Sequence, residues 1–296
     1  MDRETKGTLL VTLTALSSGA AIIVNRFFVL HIDPVIFTAV RALLIGLAFL
    51  VLSSSLEREK KRIPLYQLTV LGFIGGGLAF LLFFTGLRMT TGGRAAFIHK
   101  TLPVWASILA FLFLKERITK KQAVAIATAL LGLAVMEHDN IPLDIKTGDL
   151  LTLSATVLWA IENTLAKYFM RAGETNWRVT FARMFFGSIF LFAVALLQRK
   201  LALLLALKPV EWFYLFISTL MLTFYVLTWY WGLRYINLSK ASGILLLSPV
   251  ISLILGVIFL GEEVFPMQLL GSALILAGCY VLGKTKSEVF TGGELP

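Results

Sequence analysis

Along this chain, apolar residues gather in long runs separated by short charged or turn-forming breaks. A helix needs about 20 mostly apolar residues to cross a hydrocarbon core of roughly 30 Å. Ten such runs occur, at about 8–30, 34–54, 65–87, 94–114, 119–137, 148–170, 177–197, 211–232, 240–260 and 265–283. The breaks hold Asp33-Pro34, Glu57–Arg62, Gly92-Gly93-Arg94, Asp139–Pro142 and Phe265-Pro266. Breaks this short favour antiparallel neighbours. The pattern predicts an all-α integral membrane protein with ten transmembrane helices. The first run is too long for the apolar core of a signal peptide and reads as a span. The terminal TGGELP has no apolar character and falls outside the fold.

Composition agrees with a membrane protein. The chain is 58% hydrophobic and 15% charged, with a mean hydropathy of +0.85, where soluble domains carry about 25% charged residues. With the N-terminus in the cytoplasm, 17 of the 27 Lys and Arg residues fall in inside segments and 6 in outside ones. Arg26, Arg41, Lys100 and Arg183 lie within spans. That bias places both termini in the cytoplasm and the protein in the cytoplasmic membrane. The net charge of +10 therefore marks loops facing the cytoplasm. No basic run is interleaved with stacking aromatics, which argues against a nucleic-acid partner. The single cysteine, Cys279, has no Cys/His company at metal-ligand spacing, so neither metal nor cofactor is expected.

The runs repeat. Residues 86–117 and 232–263 share Gly86-Leu87-Arg88 with Gly232-Leu233-Arg234, Pro103-Val104 with Pro249-Val250, and Leu114 and Glu116 with Leu260 and Glu262. Gln122 and Gly132 then match Gln268 and Gly278, all at an offset of 146. Each copy has five spans, an odd number, so the copies cross in opposite directions as an inverted repeat, 8–137 and 148–283. Inverted repeats hold a small-molecule substrate near the bilayer midplane and expose it to each side in turn. Small residues, Gly72-x-x-x-Gly76 and the equivalent Gly132 and Gly278, mark close helix contacts. The last spans of each half offer an inter-half contact or a homodimer face.

These halves resemble a known family. Each has a proline-containing fourth span ending in Glu, LFLKER at 112–117 and IFLGEE at 258–263. Each follows it with Gln122 or Gln268 and a small-residue fifth span. In this the chain resembles the EamA family of the drug/metabolite transporter superfamily over nearly its whole length. The resemblance implies a ten-helix fold with cytoplasmic termini and export of amino acids or other small metabolites. His99-Lys100 stands outside the general pattern.

Polar groups inside a membrane are costly and usually face a cavity or a partner. Lys100 and His99 stand just before Pro103, where the second copy has Leu246 in place of Lys100. Trp159, Glu162 and Asn163 share one helical face, and Asn25 is the counterpart of Asn163 by order. Lys100, Glu162, His99, Asn163, Asn25 and Trp159 are therefore the expected substrate-binding residues, with Glu162 pairing with Lys100, taking an amino group or exchanging a proton. Arg26 is a further embedded candidate. Pro103 and Pro249, Glu116 and Glu262, and Arg41 and Arg183 form symmetric pairs expected in structural or gating roles. The aromatic end of the eighth run, Trp229 to Trp231, reads as an interfacial belt or a substrate wall.

The functional expectation is a secondary transporter of amino acids or related metabolites, coupled to protons if Glu162 titrates. An exchanger of phosphorylated or nucleotide-linked anions is the alternative that Lys100 raises. A lipid flippase or membrane-embedded enzyme is the reading of another class. No G-x-S-x-G or H-E-x-x-H motif supports an enzyme.

Overall fold

A computed structural model describes residues 1–28, 31–56, 63–141 and 144–287, and these are helical almost throughout. The segments at 57–62 and 288–296, with their basic residues and TGGELP, lie outside the described residues, as does the side chain of Arg26. Helices α1 (Arg3–Phe28) and α2 (Pro34–Leu56) lead into α3 (Leu65–Leu71), which continues through a π-helical Gly72–Leu78 into α4 (Ala79–Met89). Then come α5 (Gly92–His99), α6 (Leu102–Leu114) and α7 (Lys120–Met136). The second half holds α8 (Thr147–Arg171), α9 (Asn176–Leu197), the short α10 (Leu201–Leu205) and α11 (Pro209–Leu233). It ends with α12 (Leu238–Ile244), α13 (Leu247–Leu260) and α14 (Pro266–Lys284).

Eight segments are long and apolar enough to cross a membrane. The two expected runs outside that set are helical as well. Helix α7 has only 17 residues. Helix α8 has 25 but carries Asp149, Glu162, Lys167 and Arg171, which lower its hydropathy. Burial explains how it tolerates them: Asp149, Glu162 and Lys167 are inside the protein.

Three of the expected runs are interrupted rather than continuous. In the third, the glycine run adopts a π-turn, a feature that often accompanies functional sites. Without side chains this face comes against α8 and α9: a Cβ on Gly75 would collide with Glu162, and one on Gly76 with the Arg183 carbonyl. In the fourth and ninth runs the helix breaks at Lys100-Thr101 and at Leu245-Leu246. Pro103 opens α6 and Pro249 sits in the first turn of α13, where no intrahelical N–H bond is needed. The proline thus starts a second half-helix instead of bending one long helix.

The repeats interleave. Helix α1 packs on α11 and α13, α2 on α9, α4 and α6 on α8, and α7 on α14, so the main helix pairings join the two halves. Between α7 and α14, a Cβ on Gly132 would lie 2.6 Å from the Gly271 carbonyl, which is why small residues occupy this inter-half seam. The first and last described residues come together: Glu4 accepts from Lys240 Nζ (2.6 Å) and from the Ser287 N–H (3.0 Å).

Candidate functional site

The two breaks face each other. Lys100 follows the last residue of α5, where the negative, carbonyl end of the half-helix favours a cation. Its Nζ donates to Ser248 Oγ (2.5 Å) at the start of α13, and Ser248 donates to the Leu245 carbonyl (2.9 Å). Lys100 is half-buried and meets no carboxylate among the described residues. A cation at the junction of two broken helices, one from each half, has a hydrogen bond but no countercharge among the described residues. Glu162 does not supply one.

His99 points elsewhere, as adjacent helical residues must. Its ring lies 4.7 Å from that of Trp159 and 5.6 Å from that of Phe83, and its buried Nδ1 has no hydrogen-bond partner among the described residues. Phe80 and Phe83 pack on Trp159, completing an aromatic wall beside Lys100. The Trp159 indole donates to the Gly75 carbonyl in the π-turn (3.0 Å), so the glycine run holds this wall in place.

Glu162 and Asn163 extend the same face of α8 into the core. Glu162 is fully buried, accepts from the Tyr230 hydroxyl and lies 3.5 Å from Arg183 Nη1. Arg183 also donates to the Tyr230 hydroxyl (2.9 Å), closing a triad across α8, α9 and α11. Asn163 donates to the Trp159 carbonyl (2.8 Å) and accepts from the Trp229 indole (2.7 Å). Trp229 and Tyr230 are 1% and 0% exposed, which rules out the interfacial-belt reading for these two. Sequence spacing offered no signal for Tyr230 as the partner of Glu162, because the two residues are 68 apart in the chain.

Arg41 meets different company. It is 5% exposed, with Nη1 donating to Ser218 (2.6 Å), Nε donating to the Phe37 carbonyl (3.3 Å) and its guanidinium 3.9 Å from the Phe37 ring centroid. Ser218 in turn donates to Asn25 Oδ1 (2.5 Å). Arg41 therefore has no acidic partner among the described residues, whereas Arg183 has Glu162.

The Glu116–Glu262 pair also divides. Glu116 is buried and takes Lys167 (2.8 Å), Arg171 (2.6 Å) and the Leu238 N–H (2.8 Å), tying α6 of the first half to α8 and α12 of the second. Glu262, just past α13 at the opposite end of the helix bundle, is exposed, and its N–H bonds the Gly256 carbonyl (3.3 Å). At that opposite end Asp33 links the halves through Lys200 (2.8 Å) and approaches Arg88 (3.5 Å). Burial pushes the Asp33 carboxyl up, but hydrogen bonds from Lys200 and the Val35 and Ile36 N–H groups, with the Lys200 charge, hold it below its ordinary value.

Broken spans joined across interleaved halves, with a cation at the junction, are the arrangement found in membrane transporters. The chain belongs to the EamA-like transporter family, whose model matches residues 5–137 and 146–284. It is 28% identical over 273 residues to the uncharacterized transporter YyaM of Bacillus subtilis, covering 88% of each chain. It is 27% identical to Protein PecM of Dickeya dadantii, covering 89% of this chain and 88% of that one. A more distant relative, 25% identical over 65% of this chain and 64% of its own, is a probable terminal-alkyne amino-acid exporter of Streptantibioticus cattleyicolor. A solved crystal structure shares the fold at a TM-score of 0.75, covering 93% of this chain and 95% of that one at 16% identity.

Proposed function

We propose that this protein is a secondary transporter exporting amino acids or closely related carboxylate metabolites across the cytoplasmic membrane by alternating access. The observation that carries the reading is Lys100, a cation without a countercharge where the broken spans of the two halves meet. In this reading the chain crosses the membrane ten times as two inverted repeats, 8–137 and 148–283, with both termini in the cytoplasm. Lys100 and the Ser248 hydroxyl receive the substrate carboxylate, and the His99–Trp159–Phe83 wall takes its side chain. One ammonium group neutralises one carboxylate charge but leaves a phosphoryl dianion with an uncompensated charge, which favours amino acids over phosphorylated metabolites. The named activity of the Streptantibioticus relative points the same way.

Glu162 is the proton-coupling group of the proposal, since it is the carboxylate nearest the aromatic wall along α8. The Glu116 cluster and the Glu4–Lys240 pair seal the cytoplasmic end. Alternation then requires both to part. The unit of transport is the single chain, because both halves of the site come from it; a homodimer adds nothing to this site.

The test is exchange in proteoliposomes loaded with a panel of labelled amino acids. Wild-type protein is expected to exchange a subset, and Lys100→Met to lose at least about tenfold of that rate, the scale of one charge-assisted contact. Absence of exchange for every amino acid, with exchange of a phosphorylated metabolite instead, would overturn the proposal.

A further inference from the structure

Arg41 occupies the position in the first repeat that Arg183 occupies in the second, seven residues beyond the first residue of its helix. Asn25 and Asn163 are likewise paired, and each accepts a hydrogen bond from α11, through Ser218 and Trp229 respectively. The correspondence stops at charge. The residue before Asn163 is Glu162; the residue before Asn25 is Val24, which packs in the cluster that contains Phe37 and Val40. Tyr230, the second partner of Arg183, corresponds at the repeat offset to Phe84. The first repeat keeps the arginine and lacks both groups that neutralise its mate.

A buried cation without a countercharge is strongly unfavourable, and one aromatic ring, one hydroxyl and one backbone carbonyl do not replace a carboxylate. The nearest carboxylate along α2, Asp33, is engaged by Lys200 and caps the helix through the Val35 N–H (2.9 Å). We propose that Arg41, Ser218 and Asn25 form an anion-binding subsite that takes a carboxylate or a small inorganic anion from the membrane-embedded interior. The guanidinium supplies the charge. The Asn25 amide nitrogen, which donates to no described group, supplies a second donor, and Asn25 is only half-buried, so the subsite is not fully enclosed by protein on that side. This subsite is separate from Lys100: its partners come from α1, α2 and α11, while Lys100 bonds α13.

The test is thermal unfolding of the detergent-purified chain in sodium methanesulfonate at fixed ionic strength, with sodium chloride or sodium acetate replacing it stepwise. Wild-type protein is expected to show a saturable rise of about 3 °C, retained in Lys100→Met and lost in Arg41→Met. Val24→Glu, which restores the carboxylate of the second repeat, is expected to abolish the rise while leaving the chain folded, and it serves if Arg41→Met fails to fold. A rise with chloride alone assigns a resident inorganic anion; a rise with acetate alone assigns a carboxylate other than the one received at Lys100. No saturable rise in the wild type, or an undiminished rise in Arg41→Met or Val24→Glu, overturns the subsite. Loss of the rise in Lys100→Met alone places the anion at Lys100 and likewise overturns it, leaving the transport proposal standing.

Discussion

The inner regions around Arg183 and Arg41 are copies of one design with opposite electrostatics. Around Arg183, a carboxylate and a phenol hydroxyl from two other helices close a neutral, hydrogen-bonded triad. Around Arg41, a serine and an aromatic ring provide contacts but no charge. Buried ion pairs contribute little net stability, yet breaking one leaves an uncompensated charge at high cost. One arginine is therefore tied to its place by its partner, and the other carries a charge that something else must balance. Duplication supplied the scaffold, and the presence of a carboxylate in one copy and its absence from the other is what separates the two sites.

The sharpest way to break this comparison is to remove each arginine in turn. Arg183→Met leaves Glu162 buried without its countercharge, and unfolding measurements should show a loss of about 3–5 kcal/mol. Adding Glu162→Gln should recover much of it. In anion-free buffer Arg41→Met should instead stay within about 1 kcal/mol of wild type, because the lost contacts offset the relief of an unpaired charge. Equal losses in both variants would erase the distinction.

Glu116 tests whether the compensated kind of site also works as a latch. Glu116→Gln deprives Lys167 and Arg171 of their charge partner and should cost about 2–3 kcal/mol. It should also raise labelling of cysteines introduced near Leu238. Trp229→Phe removes only the neutral indole donor to Asn163 and should cost about 1–1.5 kcal/mol. The smallest effect is at Asp33. Its lowered pKa means its contribution is complete above the unfolded carboxylate value of about 3.9 and disappears as pH falls through the lower folded value. The stability of Asp33→Asn should therefore fall less steeply below about pH 4 than that of wild type.

Which of these features could be read in advance follows from their range along the chain. Hydrophobic runs and the 146-residue offset are local or periodic, so they carried the helical membrane class, the repeat and the family resemblance. Lys100 was legible because its counterpart, Leu246, broke the symmetry. Its true partner, Ser248, was not, since a serine beside a proline has no pattern of its own. Arg41 and Arg183 match by position along their helices, but Val24 stands where Glu162 does, so matching position does not bring matching partners. A charge partner on another helix leaves no periodic trace, and neither does the burial of Trp229 and Tyr230, which at the end of an aromatic helix resemble an interfacial belt.

The stretch around Pro103 shows the division well. By itself the sequence determined that this is a duplicated, all-helical membrane protein of the transporter type, because apolar run length and repeat spacing are set by bilayer thickness and by duplication. Only the tertiary structure decided that the proline begins a half-helix, that Lys100 meets Ser248, and that Glu162 is claimed by Arg183 and Tyr230. Those outcomes depend on which faces of interleaved helices come within hydrogen-bond reach, and no spacing along one chain encodes that.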